Sequence, residues 1–283
     1  MKGRRCLMMS SDRVVVLCDW KRWGAFIGCE FSLQLGRYAR CPYQYDKVSQ
    51  QMSLKPEVEY GLVCWIGEEG VQAKMVLNRQ ELQEAGEQHV NAQRLAMYAS
   101  KFAWKPFTPS RYPHPLKPGT FLWSVTEVNK YALAKEGLLN WYHKKGVEGV
   151  LTWLQEYASP EAPPLSEMTL EYVLEQLEAH KLRPVDLRDK AGDQGRTLHK
   201  LAMFFLQNKP VDLTDAPQAH KDFAAKFALW CQKVKLEPLA VEQMVYEEAP
   251  NEIAGTLDCQ AVVDRQWVEG EWERLNTAQE GTA

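Results

Sequence analysis

The sequence predicts an α+β fold: a helical region packed on a small mixed β-sheet, preceded by a small β-rich N-terminal domain. Three observations carry this. Strand-type apolar runs and turn signals concentrate in residues 1–80. Helical periodicity takes over from Asn78 and dominates up to about residue 234. Two segments with strand alternation, 239–247 and 252–264, then close the pattern around a turn that contains Pro250.

Taken in order, residues 13–20 hold the run Val14-Val15-Val16-Leu17, bounded by polar residues, and predict a strand. Residues 23–35 alternate loosely, with Phe26, Gly28, Phe31 and Leu33, and predict another. Residues 59–77 predict two strands around the turn Gly67-Glu68-Glu69-Gly70. The expectation is a meander of about four strands. Residues 79–104 predict a helix, with Asn78 as N-cap and Glu81 completing a capping box. Five prolines between Pro106 and Pro118 mark an extended linker. The expected organisation is therefore a domain over 1–105 whose role the residues do not specify, a linker over 106–119, and a second domain over 120–283.

In the second domain Ser124, with Glu127 three positions on, opens a helix whose buried face includes Val128, Tyr131, Leu138 and Trp141. Further helices are expected over 147–157, over 169–180 with Ser166 or Thr169 as cap, over 187–207 and over 218–234. Pro184 is expected to end the region that holds the 169–180 helix.

Composition narrows the function classes. A formal net charge of -3 gives no global basic field, which excludes a histone-like coat of charge but not a local basic groove. No apolar run reaches the roughly 18 residues of a membrane span, and the N-terminal apolar stretch is too short for a secretory segment. The seven cysteines contain no Cys-x-x-Cys and read as reduced structural thiols of a cytoplasm. Neither a phosphate-binding glycine loop nor a Ser/His/Asp motif is present.

Two short pieces carry candidate chemistry. In Gly195-Arg196-Thr197-Leu198-His199, the histidine lies at the flank of a helical face made by Leu198, Ala202, Phe205 and Leu206. Alone, it reads as a core-edge histidine satisfied by a backbone carbonyl. In Ile253-Ala254-Gly255-Thr256-Leu257-Asp258, the aspartate shares a strand face with Thr256 and Gln260, and the glycine leaves room for close approach. Alone, that aspartate reads equally as part of a solvated outer face. Glu242 lies on the preceding strand, on a face with Ala240, Met244 and Tyr246. Lys130, Lys144 and Lys145, beside Trp141 and Tyr142, form a candidate basic and aromatic surface, as does Arg196; a solvated helix surface explains the same pattern. Lys21, Arg22, Arg37 and Arg40, near Trp20 and Trp23, make the N-terminal segment locally basic.

The ordered set Ser124-Val125-Thr126, Leu138-Leu139-Asn140-Trp141, the stretch from Arg188 to His199, Glu242, and Ala254-Gly255-Thr256-Leu257-Asp258 resembles the RecB-type branch of the PD-(D/E)xK nuclease superfamily, and within it the small phage and prophage exonuclease-like proteins. The resemblance covers about residues 120–263. It implies a restriction-endonuclease-like core, Mg²⁺ or Mn²⁺ as cofactor, and DNA as substrate. By the same implication His199 is a metal ligand, Asp258 the main carboxylate ligand, and Glu242 a catalytic carboxylate near the metal. Implied partners are a phage single-strand annealing or recombination protein and further copies of the chain, in the cytoplasm of a bacterial host.

One departure matters. The family's next strand carries an acid-x-lysine pair, and no lysine follows Asp258. The expectation is that residues 267–274 form that strand, with Glu271 or Glu273 as the carboxylate and Arg274 as the cation, or that they are a solvated acidic end. On this reading the core is C-terminally incomplete, through truncation or a degenerate site. The alternative function is then an inactive nuclease-fold protein that binds DNA or a recombination partner.

Overall fold

The computed structural model describes residues 11–22, 29–67, 69–100, 111–132, 136–159, 163–164 and 167–280. It is α+β, with two mixed sheets. The chain divides into two compact units, one made of Met1–Leu133 with Leu198–Ala283, the other of Ala134–Thr197.

The first unit is organised around β1 (Arg13–Arg22). Val14, Val16, Cys18 and Trp20 are buried in one apolar cluster, and Val15 and Leu17 in another on the opposite face. A strand apolar on both faces needs cover on both and neighbours on both edges. β1 finds them in β4 (Tyr60–Gly67), which it pairs in parallel, and in β11 (Cys259–Asp264), which it pairs antiparallel. With β5 (Gly70–Leu77) and β8 (Glu237–Val241) these make a sheet ordered β5-β4-β1-β11-β8. Pro238 sits on the edge strand β8, where a missing donor is tolerated.

The C-terminal half of α6 (Pro184–Leu206), α7 (Gln218–Lys233) and α8 (Arg265–Glu280) cover one face of this sheet through Ala202, Met203, Phe223, Phe227 and Val268. The other face meets α1 (Cys29–Arg40), α2 (Arg79–Ser100) and α3 (Val125–Ala132) through Leu35, Tyr38, Leu82 and Val128. A second sheet is ordered β3-β2-β9-β10-β7-β6, from β2 (Tyr43–Asp46), β3 (Gln51–Leu54), β6 (Arg111–Pro113), β7 (Phe121–Ser124), β9 (Met244–Glu247) and β10 (Ile253–Thr256).

The expected helix starts are visible as hydrogen bonds. Glu81 N donates to Asn78 Oδ1 at 3.0 Å while Asn78 N donates to Glu81 Oε2 at 2.7 Å, a reciprocal capping box. Glu127 N donates to Ser124 Oγ at 3.4 Å, opening α3. Tyr172 N donates to Thr169 Oγ1, opening α5 (Leu170–Ala179) in the second unit. That unit also holds α4 (Glu136–Thr152), running into a π-helical turn (Trp153–Tyr157), and the first half of α6. Its core residues include Trp153 and Leu177.

Several expectations are corrected. The N-terminal strands are not a separate meander, and 106–119 does not divide two domains, because β1 pairs with β11 and β10 pairs with β7. Part of the expected linker, Arg111–Pro113, is β6. The loose alternation over 29–35 is α1: Phe31, Leu35 and Tyr38 recur at helical spacing and face the core. The rest of that expected strand, 23–28, lies outside the described residues, as do Ser166 and residues 106–110 of the proline-rich stretch. Pro184 begins α6, at the first-turn position where its missing N–H costs nothing. Phe205 is exposed and Met203 takes its place in the core. The acidic tail, 265–280, is helix α8 rather than a third strand. Gln260, expected on a solvated face, is fully buried because β11 is covered on both sides. Arg37 is also buried, 3.0 Å from Glu247, and is no part of a basic surface.

Helices α1 and α2 cross at a glycine pair. A Cβ on Gly36 would stand 2.5 Å from Gly86 N and 2.6 Å from Leu82 O, both backbone atoms that cannot yield. Alanine normally improves a helix by about 1 kcal/mol over glycine. Here the sign reverses: Gly36→Ala is expected to lower stability by about 2 kcal/mol, read by urea denaturation.

His89 on α2 is fully buried, with Nε2 3.2 Å from the Val125 carbonyl. Burial lowers its pKa from 6.5 to about 4, only partly opposed by that hydrogen bond. The unfolded chain therefore binds a proton across this window that the folded chain refuses. Stability from this group is full above pH 6.5 and falls as pH drops towards about 4, by about 3 kcal/mol in all. His89→Gln, which keeps a donor for Val125, is expected to flatten the acid limb of stability against pH.

Candidate metal centre

The two segments expected as continuous strands each break in the middle, and the breaks build the site. β8 ends at Val241 and β9 starts at Met244; β10 ends at Thr256 and β11 starts at Cys259. At both breaks the chain passes between the two sheets. Glu242 N donates to Asp258 O at 3.1 Å, and Leu257 N donates to Gln243 O at 3.0 Å, so the corners are bonded to each other. Glu242 takes φ +55°, a left-handed conformation that costs a non-glycine residue about 1–3 kcal/mol. Glu242 and Asp258 thus share one corner, outside the ladders.

His199 reaches the same corner from α6. Its Nε2 is 3.3 Å from Asp258 Oδ1 and 3.7 Å from Glu242 Oε1. One ligand atom from each of the three residues lies within 4.8 Å of the others, and all three side chains are half-buried. A histidine at the edge of the core is thereby held by carboxylates rather than by a backbone carbonyl.

β1 adds two residues that the search downstream of Asp258 missed. Trp20 N donates to Asp258 Oδ2 at 2.7 Å, across 238 positions of sequence. On either side of Trp20, Asp19 and Lys21 form an ion pair at 2.8 Å. Lys21 Nζ also lies 4.6 Å from the Phe31 ring centre. The sequence Asp19-Trp20-Lys21 is an acid-x-lysine pair, and the Cys18–Cys259 pairing sets it beside Asp258. The signal was legible at the end of the Val14–Leu17 run. The pair precedes Asp258 in the chain, whereas the resemblance places one after it.

The electrostatics are those of crowded acids. Burial pushes the Asp19 carboxyl well above the ordinary range; Lys21 opposes this and the Asp258 charge adds to it. Asp19 Oδ2 is buried with no hydrogen-bond partner among the described residues. Burial would raise Asp258 too, but the His199 hydrogen bond and charge, with Lys21 and the Trp20 amide, hold it below its usual value. Glu242 is raised by burial and by Asp258. Burial opposes protonation of His199, and Asp258 and Glu242 outweigh it, so its pKa is raised. Lys21 is likewise raised, its burial outweighed by Asp19 and Asp258.

Hard carboxylate oxygens with one imidazole suit Mg²⁺ or, better, Mn²⁺. The convergence of the His199, Glu242 and Asp258 ligand atoms and the excess of acids over cations fit a divalent cation at this corner.

The other expected site residues fall elsewhere. Glu271 lies on α8, paired at 2.5 Å with Arg274, and is not in the group that unites His199, Glu242 and Asp258. Glu273 is on the same helix. Lys144, Lys145 and Arg196 belong to the second unit and are engaged with acids: both lysines with Glu148, the arginine with Asp193. Lys130 is on α3, its side chain outside the described residues. Gly255 does allow a close approach, but by Tyr38 of α1: a Cβ there would overlap the ring. Tyr38 Oη in turn accepts from Gln34 Nε2 at 3.3 Å.

No protein-family model, no curated protein and no solved structure matches the chain. Among the described residues, no helix is long and apolar enough to cross a membrane.

Asp258→Asn removes the charge that holds the His199 proton and leaves burial in place. The His199 pKa, followed by NMR in metal-free protein, is expected to fall below that of the unaltered chain. An unchanged titration would mean that the two groups do not meet in solution.

Proposed function

We propose that this chain is a divalent-metal-dependent nuclease that hydrolyses DNA phosphodiester bonds, as the sequence resemblance implies. In this reading the acid-x-lysine pair comes from β1 and not from a strand after Asp258. One observation carries it: His199, Glu242, Asp258, Asp19 and Lys21, drawn from four separate segments, stand around a single corner.

His199, Asp258 and Glu242 would hold the ion, with Asp19, ion-paired to Lys21, beside them. When bound, Mg²⁺ or Mn²⁺ supplies polarisation of a phosphate oxygen and a lowered pKa for an attacking water. Lys21 keeps its proton at neutral pH and places a compact positive charge where charge builds on the phosphate. Glu242, whose own affinity for protons is raised, is placed to orient a water or take its proton. The inactive alternative rested on the lysine missing after Asp258, and the position of Lys21 beside Asp258 supports the active reading instead.

Linear duplex DNA incubated with the protein and Mn²⁺ or Mg²⁺ is expected to be degraded, and EDTA to stop it. Asp258→Asn and Lys21→Ala are each expected to reduce the rate by about 10²–10³-fold. Full activity in Lys21→Ala alongside an inactive Asp258→Asn would remove β1 from the site. No cleavage by the unaltered chain with either metal would sink the nuclease reading.

A further inference from the structure

We propose that the tyrosine-bearing face of the second sheet is a stacking platform for an unpaired DNA strand leading to the His199–Glu242–Asp258 corner. This rests on the nuclease reading only for what happens to the strand once it arrives.

The two faces of the sheet differ. One contributes Val245 and Ile253 to the large core, against α1, α2 and α3. The opposite face has a small buried cluster of Leu122, Met244, Tyr246 and Ala254, all from strands; the half-buried Tyr43, Tyr45 and Tyr112 pack on it, and the buried His114 ring lies 5.7 Å from that of Tyr246. Among the described residues no helix joins that cluster. Tyr246 is its floor, fully buried, with its ring 5.5 Å from that of Tyr43. Beyond them the edge strand β3 exposes Met52 and Leu54.

The platform is continuous with the metal corner. Tyr45 pairs with Met244, two residues from Glu242. Tyr112 Oη lies 3.5 Å from Thr256 Oγ1, two residues from Asp258. Each ring therefore stands against a strand that leads into the corner holding one of the carboxylates. Lys47, exposed just past β2 and two residues beyond Tyr45, offers a phosphate a counter-charge beside the rings. Aromatic rings next to a cation, without a base-reading edge, suit sequence-tolerant stacking of splayed bases. A duplex keeps its base faces hidden, so an unpaired strand is the occupant.

Fluorescence anisotropy with labelled oligo(dT) and with a blunt duplex, in Ca²⁺, tests this. The double variant Tyr45→Ala, Tyr112→Ala is expected to bind oligo(dT) at least about tenfold more weakly and the duplex nearly as before. Tyr45→Phe should retain single-strand affinity. Lys47→Ala should weaken both and reduce the salt dependence by about one charge. Melting temperatures check folding; if the double alanine variant does not fold, Tyr45→Leu and Tyr112→Leu keep the volume without the ring. Unchanged oligo(dT) affinity in a folded variant overturns the proposal. So does equal loss in Tyr45→Phe, or a change in sedimentation in place of strand affinity, which would make a second copy of the chain the occupant. Mn²⁺-dependent cleavage separates the two readings: ring-dependent strand binding without any cleavage leaves the platform and removes the nuclease, whereas cleavage with ring-independent binding does the reverse.

Discussion

The pairing of β1 with β11 is the constraint from which the rest follows. A strand reading Val14-Val15-Val16-Leu17-Cys18 has no polar face to offer water. Burying each such side chain is worth about 1.5–3 kcal/mol, so the strand belongs in the middle of a sheet with layers above and below. Its two edges are filled by a neighbour close in sequence, β4, and by one from the far end, β11. That second pairing draws both ends of the chain into one core and carries Asp19 and Lys21 to Asp258 without any motif being contiguous.

The corner between the sheets is the complementary device. A side chain in the middle of a regular strand is committed to one face of its sheet. By interrupting both strands of a hairpin at the same level, the fold frees Glu242 and Asp258 from that alternation and turns both towards His199. The left-handed backbone at Glu242 opposes this, and the reciprocal main-chain bonds between the corners offset it. The result is a set of charges that burial alone would disfavour, stabilised in part by one another. Three acids, an imidazole and one ammonium leave negative charge over, which is the situation a bound dication relieves.

Local chemistry was legible where it is local. The capping boxes at Asn78 and Ser124, the cap at Thr169, and helices α2, α5 and α7 could be read because their signals lie within one or two turns of the residues they order. His199, Glu242 and Asp258 were named through the family resemblance; alone, the histidine reads as a core-edge residue and the aspartate equally as part of a solvated face. Segment 29–40 was misread because a short apolar pattern fits two periods, and its helix is decided by packing against Gly86 of α2. The tail was misread for a related reason: Val268 needed a core to enter, and only the assembled sheet supplies one.

By itself, then, the sequence determined the α+β class and the starts of α2, α3, α5 and α7, because these depend on nearest neighbours and on side-chain periodicity. The tertiary structure decided which strands are adjacent, where they break, and that Asp19 and Lys21 of β1 stand beside Asp258. Strand adjacency is a choice among distant edges, made by the burial of whole faces, and no window of residues contains it.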